Sequence, residues 1–183
     1  MKTAAAFAAL FLATSAVHAA EWKLGPGESA LTFSGTQAGE KFGGKFGRFD
    51  AHVSLDPDKL DEAKIVVTVD VASAATGDRQ RDSAMPSKEW FDARNFPQAR
   101  FESRKVSRAA DGYEALGDLT LRGVTKEIRL PFTLAIDGRK AQAKGHVDLK
   151  RDVFGVGQGE WATGEWVALD VGVDFDLKAE RAD

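Results

Sequence analysis

The chain has 183 residues, 43% hydrophobic and 29% charged, with a formal net charge of −3. That is the composition and length of about one globular domain, and the acidic balance argues against a nucleic-acid partner, which calls for a basic surface. There is no cysteine, which excludes disulfide scaffolds, Cys-based zinc or iron–sulfur sites and thiol nucleophiles.

The first predicted element is an address label. Met1-Lys2-Thr3 is a short basic start, residues 4–17 carry no charge, and Val17-His18-Ala19 puts compact residues where a signal peptidase reads. The apolar run, about 14 residues, is shorter than the ~18–20 of a membrane span. The pattern predicts a signal peptide over 1–19, with cleavage after Ala19 or Ala20, and a single domain over 20–183 that spans no membrane. Its bacterial look makes the periplasm the expected location. An exported chain without disulfides must then be held by its own core.

Beyond the label the apolar pattern has period two. Strands are expected near 30–38, 45–55, 63–73, 98–107, 112–121, 128–136, 140–150 and 167–177. The last is the clearest: Val167, Leu169, Val171, Val173, Phe175 and Leu177 share one face, and Asp170, Asp174 and Asp176 the other. In 128–136, Pro131 removes a ladder donor, which predicts an edge or bulge there. Gly123 and Asp137-Gly138 read as turns between antiparallel neighbours. Residues 78–95 break the alternation and predict one or two short helices, one of them capped by Ser87. The fold class is therefore all-β: eight antiparallel strands with a small helical insert, as a sandwich or a barrel wide enough for one small ligand.

Chemistry is sparse. His52 and His146 each lie in a predicted strand, as surface or satisfied core residues rather than metal ligands. There is no Gly-x-Ser-x-Gly motif. Gly155-Val156-Gly157-Gln158-Gly159 lacks the lysine of a phosphate loop and reads as a flexible turn. Asp56/Asp58 and Asp61/Glu62 read as solvated surface rather than an acid–base pair. What stands out is aromatic: Phe42, Phe46 and Phe49; Trp90, Phe91 and Phe96; Phe154, Trp161 and Trp166. Composition alone favours core filling over a cavity lining.

A set of spaced motifs shifts that balance. They are Trp22, Phe46-Gly47-Arg48-Phe49, Ala72-Ser73-Ala74-Ala75-Thr76, Arg79, Arg81-Asp82, Met85, Trp90-Phe91-Asp92-Ala93, Phe96-Pro97, Phe101-Glu102-Ser103, residues 117–126 and Arg151-Asp152-Val153-Phe154-Gly155. Together they resemble, in order and over nearly the whole chain after the label, the YceI family of periplasmic proteins. Trp90 stands where that family usually has Phe, and Ala74 where a β-branched residue is common.

The resemblance implies an extended, lipocalin-like eight-stranded barrel around an apolar channel. It implies a binding or carrier protein rather than an enzyme. The ligand class it implies is an amphiphile with an isoprenoid-like tail, polyprenyl or quinone, or a fatty-acyl tail, and no covalent cofactor or metal. Phe33, Phe46, Trp90, Phe91, Phe101, Phe132 and Phe154 are the expected channel lining, and Arg79, Arg81 and Asp82 the expected head-group contacts at its mouth. Some relatives are linked to stress, and others to a b-type, quinol-linked membrane cytochrome. A non-catalytic partner of such a cytochrome is therefore one alternative, and a stress-response protein with a filled core another. An exposed edge near Pro131 or an apolar mouth would suit a homodimer.

Overall fold

The computed structural model describes residues 20–25 and 29–182. The expected signal peptide over 1–19 lies outside the described residues. The strands are β1 (Glu21–Leu24), β2 (Ala30–Gln37), β3 (Glu40–Phe46), β4 (Phe49–Ser54), β5 (Lys64–Asp70), β6 (Ala74–Ala75), β7 (Gln98–Ala109), β8 (Gly112–Leu121), β9 (Val124–Asp137), β10 (Lys140–Lys150) and β11 (Asp170–Arg181), with one α-helix, α1 (Arg79–Ala84).

Every strand pairing is antiparallel, and the sheet closes on itself as an eight-stave barrel because β1 pairs with both β4 and β11. Three staves are broken. β1 and β2 lie end to end along β11, with Leu24 opposite Ala179 and Ala30 opposite Asp176. β3 and β4 continue one another in the same way, and β6 ends the stave begun by β5.

The sequence expected one strand over 45–55. The chain instead bends at Gly47-Arg48, where the Gly47 and Arg48 amides donate to the Ser73 carbonyl (3.1 Å) and hydroxyl (3.0 Å). Arg48 also pairs with Asp70 at 2.8 Å. β3 starts earlier than expected, since Gly43 and Gly44 leave no side chain to display its alternation. β1 was not expected at all; four residues are too few for a period to show. β11 starts at Asp170 rather than 167, because the Val167 and Ala168 carbonyls are taken by Arg151 at 2.6 and 3.0 Å.

The insert holds one helix, and Ser87 does not cap it. Asp78 does: its carboxylate accepts from the Gln80 and Arg81 amides at 3.0 and 2.9 Å, and Pro86 follows the helix end. Residues 86–96 are closed turns, with Asp92 accepting from the Asn95 and Phe96 amides at 2.9 Å. The turn between β8 and β9 is a tight two-residue loop with both central residues left-handed, Arg122 at φ 50° and Gly123 at φ 74°.

One end of the barrel, here called the floor, is packed solid. Trp22, Leu55, Phe101, Val106, Ala115 and Phe132 form a buried cluster there, and the Trp22 indole N–H donates to the Leu55 carbonyl at 2.9 Å. The other end is covered by two long segments, 76–97 and 151–168. They are fastened to each other where the Gly157 and Gln158 amides donate to the Glu89 carbonyl at 2.9 and 2.7 Å.

Candidate functional site

Above the floor the inward faces of the staves do not meet. They enclose a cavity of about 400 Å³, within the ~300–1,000 Å³ common for small-molecule sites. Its wall is almost wholly aliphatic and aromatic. Leu31 and Phe33 come from β2, Val67 and Val69 from β5, Ile128 and Leu130 from β9, Val147 and Leu149 from β10, and Val171, Val173, Phe175 and Leu177 from β11. These are the inward members of the alternating pattern, so period two built the wall directly.

The seven aromatic residues expected to line a channel, Phe33, Phe46, Trp90, Phe91, Phe101, Phe132 and Phe154, all border this one cavity. Phe33 and Phe46 pack at 5.1 Å between ring centres, and Phe46 and Phe91 at 6.2 Å, as a tilted aromatic ladder under the 76–97 segment. Phe101 and Phe132 sit at the floor, with Tyr113 stacked on Phe132 at 5.5 Å. Phe154 is 1% exposed and borders the cavity from the second cover segment itself.

The three expected head-group residues separate. Arg81 faces the cavity mouth beside Asp78, Gln80 and Ala84. Its guanidinium donates to Gln37 Oε1 at 3.1 Å, lies 4.7 Å over the Phe42 ring, and keeps Nη2 3.9 Å from Asp78, beyond hydrogen-bond distance. Arg79 is exposed on α1 and does not border the cavity. Asp82 turns away from it to accept from the Thr76 amide (2.7 Å), the Thr76 hydroxyl (2.8 Å) and the Gly77 amide (3.2 Å). The Thr76 amide, then its hydroxyl, hold the Asp82 carboxyl below the usual carboxylate range. Asp82 thus fixes the Thr76–Gly77 loop that leads into the helix carrying Arg81.

Sequence reasoning missed the organiser of the second cover segment. Arg151 is 4% exposed and has no carboxylate hydrogen-bonded to it. Its five N–H groups are consumed by carbonyls instead: Ala168 on Nε, Val156 and Gly157 on Nη1, Trp161 and Val167 on Nη2, at 2.5–3.2 Å. Trp90 covers it at 5.2 Å, and Trp90 packs on Trp161 at 5.7 Å. Burial lowers its pKa. Gly157, at φ 80°, is where the guanidinium passes, and a Cβ there would collide with it. The glycine-rich stretch read as a flexible turn is therefore a pinned one. In the sequence Arg151 stands between Lys150 and Asp152, which reads as an ordinary surface charge run, and only the glycines at 155, 157 and 159 hint at a backbone that wraps a side chain.

Elsewhere, His52 sits beside Asp50 at 3.3 Å on the surface. His146 lies on the outer wall between Asp174 (2.8 Å) and Asp148 (3.2 Å). No group of metal-ligating side chains is found among the described residues.

The comparisons agree with this geometry. A profile for the YceI-like domain matches residues 22–179. A UPF0312 protein of Photorhabdus laumondii is 33% identical over 153 residues, 78% of this chain and 80% of the relative. Among solved structures, Burkholderia cenocepacia BcnA superposes with a TM-score of 0.81 at 33% identity, over 85% of this chain and 98% of that one. A polyisoprenoid binding domain from Saccharophagus degradans gives a TM-score of 0.66 at 17% identity, over 88% and 98% of the two chains, and so shares the fold. The closed barrel, the cavity and the matched span agree: the chain belongs to the YceI family.

Proposed function

We propose that the protein is a periplasmic, non-catalytic carrier for an amphiphile with an isoprenoid-like or fatty-acyl tail. The observation that carries this is the cavity itself: an apolar void bounded by a packed floor, bordered among the described residues by only four charged ones, Asp78, Arg81, Arg100 and Arg151, of which Asp78, Arg81 and Arg151 belong to the covered end. The family membership and the polyisoprenoid binding of the Saccharophagus relative point to the same ligand class. A filled-core stress protein does not fit a void of this size.

Burying a tail gives about 0.8 kcal/mol per CH₂, so ten carbons offer roughly 8 kcal/mol before the costs of association. A head-group hydrogen bond adds about 0.5–1.5 kcal/mol. Tail length therefore sets affinity, and Arg81, with a guanidinium nitrogen not fully engaged, sets orientation. The test is mass spectrometry of protein purified from its own host, intact and after solvent extraction. A stoichiometric prenyl, quinone or acyl adduct is the expected result. A bare mass, with no uptake of added geranylgeraniol, rejects the reading.

A further inference from the structure

The barrel is closed in topology but not along its whole height. β9 and β10 pair only from Asp137 opposite Lys140 to Phe132 opposite Gly145. Above that point β9 continues to Val124 paired only to β8, and β10 continues to Lys150 paired only to β11. The break falls at Pro131. A Cβ on Gly145 would collide with the Pro131 carbonyl, so that carbonyl faces β10. In an antiparallel ladder a residue's N–H and C=O point the same way. The N–H that proline lacks is therefore the one that would have extended the seam to His146. The expectation of an edge at Pro131 is met inside a closed barrel.

An open groove runs along this seam, lined by Glu127, Ile128, Arg129, Val147, Asp148 and Leu149. Ile128, Val147 and Leu149 also border the main cavity, so the slit shares its inner wall with the channel. Its outer lip is charged, yet nothing latches it among the described residues. Glu127 pairs with Arg104 on β7, Arg129 with Glu114 on β8 at 2.7 Å, and Asp148 with His146 on its own strand at 3.2 Å. The covered end is the opposite case. There the two cover segments are fastened by the 157–89 backbone bonds, the bond from the Arg122 guanidinium to the Lys88 carbonyl and the bonds made by Arg151, and the Arg81 mouth is spanned by its bond to Gln37. Widening the seam breaks no ladder hydrogen bond.

We propose that the β9–β10 seam is the side port through which an apolar tail enters and leaves the channel. This rests on the carrier reading. The chain has no native cysteine, so the port can be stapled. Arg129→Cys/Asp148→Cys, on the two lips, is bridged with a short bis-maleimide. Neither residue borders the main cavity. Geranylgeraniol binding is followed by stopped-flow tryptophan fluorescence and at equilibrium.

The expected result is that association and dissociation rates both fall by about tenfold or more on stapling, while Kd stays within about twofold, because a port changes the path and not the bound state. Pro131→Ala, which restores the donor, moves both rates the same way by less. If the unstapled variant binds and stapling leaves its rates unchanged, the port is overturned and the carrier reading stands. If wild type and unstapled variant both fail to bind, the carrier reading falls and the port with it.

Discussion

At the floor, Trp22, Leu55, Val106 and Ala115 are at most 7% exposed and pack on one another. In the upper barrel, Phe33, Phe42, Phe46 and Phe91 point inward from the same kind of alternating strand and the insert, yet all are half-buried, because they face a void. One pattern thus makes both a core and a container. The difference lies in what fills the axis. At the floor a small residue, Ala115, admits large neighbours, and Trp22 reaches across to Leu55. Above, the aromatic rings pack at a tilt along the wall, with centres 5.1 and 6.2 Å apart, and leave the axis between the staves unfilled. Hydrophobicity of the inward face does not by itself say that the face is satisfied.

That contrast can be tested by mutation. Trp22→Ala is expected to cost about 3–5 kcal/mol in denaturant unfolding, from lost packing and an orphaned Leu55 carbonyl. Phe46→Ala, equally large, is expected to cost less than about half of that and instead to weaken geranylgeraniol binding, because the transfer term is spent on the ligand. Equal losses at the two positions would erase the distinction. Arg151→Ala leaves five carbonyls without their shared donor, and an expected loss of about 3 kcal/mol should appear as fast amide exchange confined to 152–168.

Overpacking sharpens the comparison further. Ala115→Leu should destabilise by about 1–3 kcal/mol, whereas Ala99→Leu, which borders the cavity, should be nearly neutral and reduce ligand capacity. The smallest effect lies outside the barrel. Hydrogen bonds to Asp174, then Asp148, raise the His146 pKa above its ordinary 6.5. The stabilisation is present below the ordinary pKa and is lost as pH rises through the raised one. The ring is half-exposed, so screening keeps the effect on stability small. Proton NMR should show a raised pKa that returns toward 6.5 in Asp174→Asn.

Much of the fold was legible because alternation names faces. Val171 to Leu177 point inward as written, and Pro131 marks the place where the ladder ends. What was not legible has physical reasons. Period two fixes which side chains face the axis but not the barrel radius, so the void behind Phe33 and Phe46 could not be read. Glycines hid β3, and β1 is too short to show a period. Asp78 took the cap assigned to Ser87, since both residue types cap and only the position of Pro86 separates them. Of the mouth residues, Arg79, Arg81 and Asp82 are close in sequence, but a helix of six residues points them in different directions.

Trp22 stands opposite Arg181, so the ring is completed by pairing nearly the first described residue with nearly the last. The run from β7 to β11 is a meander in which each strand's partner is its neighbour in sequence. The β7–β8, β8–β9 and β9–β10 hairpins need only short loop closures and β10–β11 a longer one through the second cover segment, whereas the β1–β11 and β2–β11 contacts span almost the entire chain. During synthesis the container cannot exist until the C-terminal strand is available to meet the N-terminal one. A truncation of a few residues at the end would remove the β1–β11 seam beside the floor while leaving the β2–β11 seam above it paired.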